Sequence, residues 1–140
     1  MRNSKINFVV SFAILVVVAV ACSFSTANIS SVKIGKDKTV STEASTFGPN
    51  DTVYAVGTVA NAPGAVKVKG LLAVEDVAGQ KPGPISGLEK TLDLPGSGTA
   101  TYTFTPPPDG WPAGKYRIEI TLMDDSGAQK DQKTVTFTVS

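Results

Sequence analysis

Residues 111–127 read Trp111-Pro112-Ala113-Gly114-Lys115-Tyr116-Arg117-Ile118-Glu119-Ile120-Thr121-Leu122-Met123-Asp124-Asp125-Ser126-Gly127. Tyr116, Ile118, Ile120 and Leu122 fall on alternate positions, against Lys115, Arg117, Glu119 and Thr121. A period of two puts one set on each face of a β-strand, so one face is greasy and the other wet. Asp124-Asp125-Ser126-Gly127 is turn chemistry and reverses the chain into a further run. There Val135, Phe137 and Val139 oppose Thr134, Thr136 and Thr138.

The same alternation recurs upstream. Val66, Val68, Gly70, Leu72 and Val74 oppose Lys67, Lys69 and Glu75, and Ala100, Tyr102 and Phe104 oppose a threonine row. Weaker runs cover Ile29 to Lys36, Val53 to Ala60 and Leu88 to Leu94. All 13 glycines and nine prolines lie beyond residue 21 and punctuate these runs, which leaves helices little room. About seven short strands, each with one apolar face, predict a single antiparallel β-sandwich over residues 29–140. A closed barrel is the alternative architecture.

Trp111-Pro112-Ala113-Gly114-Lys115-Tyr116 resembles the entry to the penultimate strand of immunoglobulin-like and fibronectin-III-like domains. The resemblance implies that Tyr116 bonds back to the preceding corner and that Gly114 belongs to the same signature. The antibody pattern of paired cysteines around a tryptophan is absent, since the chain has one cysteine.

The N-terminus has a different character. Arg2 and Lys5 precede an apolar run from Phe8 to Ala21 broken only by Ser11, the order of a secretory signal peptide. An uncleaved span is the alternative, although the run is short for a bilayer. Ala19-Val20-Ala21-Cys22 ends that run and resembles the lipobox of bacterial lipoproteins. The resemblance implies cleavage after residue 21 and a diacylglyceryl group on Cys22, which becomes the acylated N-terminus. Two or three fatty chains hold a protein stably where one does not. Residues 22–28 then form a lipidated tether. The expected location is the bacterial envelope, on the periplasmic side of an outer membrane where the cell has two.

Composition excludes much chemistry. With no histidine, His-based acid–base catalysis and Ser-His-Asp triads are absent. A formal charge of +1 without basic clusters excludes a nucleic-acid footprint. Neither G-x-S-x-G nor a phosphate-binding loop occurs, and no pair of the 12 acids is marked as meeting in a cleft. Asp124, Asp125 and Asp51 sit in turns without a calcium-loop spacing, so they read as turn formers. The chain is expected to be non-catalytic, with no cofactor and no metal.

What remains is binding. Pro106-Pro107-Pro108-Asp109-Gly110-Trp111 is a stiff loop that either presents Trp111 to a ligand or folds it over the open end of the sandwich. Leu71 and Met123 are outward apolar positions beside dispersed charges, where Lys115 is expected near Glu75. The expected function is a lipid-anchored envelope protein displaying a binding module for another envelope protein or a glycan. The alternatives are an accessory subunit of an envelope complex, with free strand edges pairing to a neighbour, and a carboxylate-dependent all-β hydrolase.

Overall fold

The structure, a computed structural model, describes residues 27–140. The expected signal segment 1–21, the lipobox residues Ala19, Val20 and Ala21, and Cys22 lie outside the described residues. Eight strands run in chain order: β1 (Asn28–Gly35), β2 (Thr46–Phe47), β3 (Val53–Ala60), β4 (Val66–Val77), β5 (Gly83–Leu94), β6 (Gly98–Phe104), β7 (Gly114–Asp124) and β8 (Gln129–Val139). They form two hydrogen-bonded sheets, one ordered β1-β3-β6 and the other β2-β8-β7-β4-β5. This is an all-β sandwich, and the separate sheets exclude the closed barrel.

The apolar faces read from the alternation meet between the sheets. Val68, Leu72, Ile118, Ile120 and Leu122 have no exposed surface, and Ala100, Tyr102 and Phe104 pack from the opposite layer. Tyr102 crosses the interior to donate from its hydroxyl to the Val68 carbonyl, 2.6 Å away. A Cβ on Gly70 would lie 2.6 Å from the Tyr102 ring, so the gap in the β4 apolar row at Gly70 is the seat of that ring. Burial pushes the Tyr102 hydroxyl well above its ordinary pKa of about 10.

Three features depart from the sequence expectation. The described residues form eight strands, one more than expected, because β2 is only two residues long and its Thr46-Phe47 has no periodicity to read. β2 also pairs parallel with the end of β8, so the larger sheet is not wholly antiparallel. Finally, Asp76 and not Glu75 stands opposite Lys115, because a bulge between Val74 and Asp76 shifts the register.

The register orients the molecule. Asn28 pairs with Ala60, and Val66 with Asp124, so the chain enters at the end carrying loops 61–65, 95–97 and 125–128. We call this end proximal. Loops 36–45, 48–52, 78–82 and 105–113 lie at the opposite, distal end, beyond Gly35, Val77 and Phe104.

Candidate functional site

The distal end is built on an aromatic stack. Phe47 meets Phe137 edge-on at 5.1 Å, Phe137 stacks on Tyr116 at 5.3 Å, and Tyr116 meets Trp111 edge-on at 6.0 Å. Tyr116 donates to the Pro112 carbonyl at 2.6 Å, closing the corner that the Gly114–Tyr116 motif implied. Gly114 holds a backbone angle of φ +147° where a Cβ would lie 2.5 Å from the Asp76 carbonyl oxygen. Only glycine fits this junction of β7 with the end of β4.

Trp111 is pinned from two sides. Its backbone N–H donates to the Pro49 carbonyl at 2.7 Å and its indole Nε1–H to the Asp51 carbonyl at 2.8 Å. The side chain is 4% exposed, so it covers the sandwich end as a plug and does not stand out as a free aromatic. One wall of that plug faces a cleft of about 480 Å³, lined among others by Ile85, Leu88, Pro107, Gly110, Trp111 and Pro112. Trp111 therefore contributes to the floor of a cavity, sharing it with the proline loop.

The facing wall arises from β5. Leu71 pairs with Glu89 and Ala73 with Pro84, so residues 85–88 all bulge out opposite Leu72. Ile85 and Leu88 of that bulge form the far side of the cleft. Sequence reasoning missed it by starting the strand at Leu88. The available signal was Gly83-Pro84 and Gly87 in and around an apolar run, residue types that mark bulges in strands. A second cleft of about 240 Å³ lies between residues 87–90 of β5 and 101–104 of β6, and Leu88 lines both. A third, of about 300 Å³, lies between β1 and β8 and includes Ile34, Glu43 and Val135.

Each of these three clefts holds one carboxylate: Asp109, Glu89 and Glu43 in turn. None of the three presents the two facing acids that glycoside hydrolysis uses. The turn acids are engaged locally. Asp124 Oδ1 accepts from the Ser126 hydroxyl at 2.6 Å and from the Ser126 and Ala128 N–H groups, each at 2.9 Å. Those bonds, led by the Ser126 hydroxyl, and nearby Lys130 draw its pKa down to about 2. Asp51 accepts from the Gly48 N–H at 2.7 Å and lies 3.3 Å from the Lys36 ammonium, which lowers its pKa too. Asp125 is exposed beside this turn. Among the described residues, no three Asp, Glu, His or Cys side chains gather as a metal site.

The outer face of the larger sheet is dispersed in charge. Lys67 and Lys69 pair across to Asp93 and Glu89, at 3.1 and 3.5 Å, and Arg117 lies 3.5 Å from Glu119. Met123 stands opposite Lys67 and Leu71 opposite Glu119, with the Lys69–Thr121 pair between them. The two candidate apolar residues are thus half-buried and separated by a polar row.

No protein-family profile and no curated protein matches the sequence. Among solved structures, the chain is similar to the soluble domain of PmoD from Methylocystis sp. ATCC 49242 (Rockwell). The match has 15% identity and a TM-score of 0.41, covering 78% of this chain and 89% of that one.

Proposed function

We propose that this chain is a lipid-anchored bacterial envelope protein whose β-sandwich holds a non-catalytic binding cleft away from the membrane. The carrying observation is the separation of two ends. The chain enters the sandwich beside Asn28, whereas the cleft under Trp111 opens at the distal end. β1 alone, at about 3.3 Å per residue, spans about 26 Å between them. Cys22 stands a few residues before Ala27, so a lipid on its sulfur would tie the proximal end to the bilayer. The cleft would then face outward, toward another envelope protein or a glycan. Its lining supports binding more than bond breaking: apolar and proline walls, a rigid aromatic floor and a single carboxylate.

The anchor is tested by metabolic labelling with a fatty-acid analogue. Wild-type chain takes up label and sediments with membranes, whereas Cys22→Ser does neither. Label retained on Cys22→Ser would end the proposal. The cleft is tested separately with Leu88→Lys, which places a charge in its wall and should abolish ligand capture while leaving membrane attachment intact.

A further inference from the structure

The edges of the two sheets are not equally protected. β1 carries a bulge between Ile29 and Ser31 and a lysine at position 33. β2 is two residues long. β5 has Pro84, the 85–88 bulge and the charges Glu89, Lys90 and Asp93. β6 has none of these devices: Gly98-Thr99-Ala100-Thr101-Tyr102-Thr103-Phe104 contains no charge and no proline, and its register with β3 is unbroken. Among the described residues only β3 pairs with it, so its other side offers unpaired backbone N–H and C=O groups.

That open side faces the second cleft. Its rim carries Glu89 and Lys90, but Glu89 is already satisfied by Lys69 at 3.5 Å. Lys90 has no ion-pair partner among the described residues, leaving the gap with one uncompensated positive charge. A second copy joined through β6 would bring a second Lys90 to the same seam, which like-charge repulsion opposes. A segment bearing a carboxylate meets no such penalty.

We propose that the gap between β5 and β6 receives an extended, carboxylate-bearing peptide segment of a partner protein. The segment adds to β6 as the fourth strand of the smaller sheet and sets its carboxylate against Lys90. One apolar side chain enters the cleft beside Leu88. Main-chain bonds along β6 supply affinity and the cleft supplies selectivity, as in other strand-addition sites. This inference goes beyond the proposed distal site: the gap between β5 and β6 is a separate cleft that shares Leu88 with the one under Trp111.

The test uses the full chain in detergent and synthetic heptapeptides of alternating valine and threonine. One set carries a glutamate near either end, a second has lysine in its place, and a third has proline at alternate positions. Amide hydrogen exchange across residues 99–103 reports the edge, and Trp111 fluorescence reports the distal cleft, which shares Leu88 with the gap. Glutamate peptides should slow exchange in β6 and bind about five-fold more tightly than lysine peptides, the scale of an exposed ion pair. Lys90→Glu, at an exposed position, should reverse that order, and proline peptides should fail. Unchanged β6 exchange with every peptide, or an order indifferent to Lys90→Glu, overturns the inference. So does concentration-dependent protection of β6 without peptide, which would make the edge a seam between copies. A fluorescence response without β6 protection would overturn strand addition alone and leave the cleft standing.

Discussion

Gly114 and Tyr102 show how single side chains fix this sandwich. At Gly114 the φ of +147° and the Asp76 carbonyl oxygen 2.5 Å from an added Cβ act together. Gly114→Ala should therefore cost roughly 1–3 kcal/mol from backbone strain, and more from the clash, read as a lower urea midpoint. Tyr102 behaves differently because its role depends on pH. Its folded pKa is raised by burial above the ordinary value of 10.0. The stabilisation is complete below pH 10 and declines as pH rises beyond it, since the unfolded chain ionises first. Tyr102→Phe loses the bond to the Val68 carbonyl, about 1 kcal/mol at neutral pH. That variant should also lose less stability than wild type between pH 9 and 11 in thermal melts. A parallel alkaline decline in both proteins would remove Tyr102 from the explanation.

Strands and turns were legible to the degree that their chemistry is local. β3 runs from Val53 to Ala60 as its residues suggested, and β4, β6, β7 and β8 contain the alternating runs read from sequence. Each has a face whose burial the period of two dictates. The Gly114–Tyr116 corner was equally readable, because the tyrosine bonds a carbonyl only four residues back. What was not readable depends on partners distant in sequence. Phe47 is buried against Phe137, and Thr46 pairs with Thr138, contacts that no window around residue 46 reveals. The cleft likewise needs the β5 bulge and the proline loop to face each other, which sequence spacing does not specify. The β7–β8 turn is local again, and it carries an acid-side prediction. Asp124 has its pKa lowered from 3.8 to about 2, so its contribution is complete above the ordinary carboxylate value and is lost as pH falls through about 2. Asp124→Asn keeps an acceptor for Ser126 but has no charge to lose. Its melting temperature should fall less steeply than wild type between pH 4 and 2, with Asp37 and Asp51 accounting for part of the remaining slope. Equal slopes would show that the turn does not report acid stability.

At the scale of the whole molecule, the proposed anchored function depends on which end would face the bilayer. A two-sheet sandwich is a rigid spacer: β1, β3 and β6 run its length in one layer, while β7 and β4 do so in the other. The proximal end holds the short loops 61–65 and 95–97, and its first strand is secured where the Ile29 N–H donates to Asp131 at 2.8 Å. A pull at the N-terminus thus loads β1 along its pairing with β3. The distal end holds the longer loops, the aromatic stack and the cleft. Trp111 is the sole tryptophan, which makes its emission a label for that end. The wild-type chain in vesicles bearing a nitroxide on the lipid headgroup should keep its Trp111 fluorescence, because the quencher acts at short range. Ala65→Trp adds a second emitter in the exposed proximal loop, and that added emission should be quenched in the same vesicles. Cys22→Ser should abolish the difference by releasing the protein from the bilayer. Strong quenching of Trp111 in the wild-type chain would instead lay the cleft against the lipid, and an outward-facing binding site would be untenable.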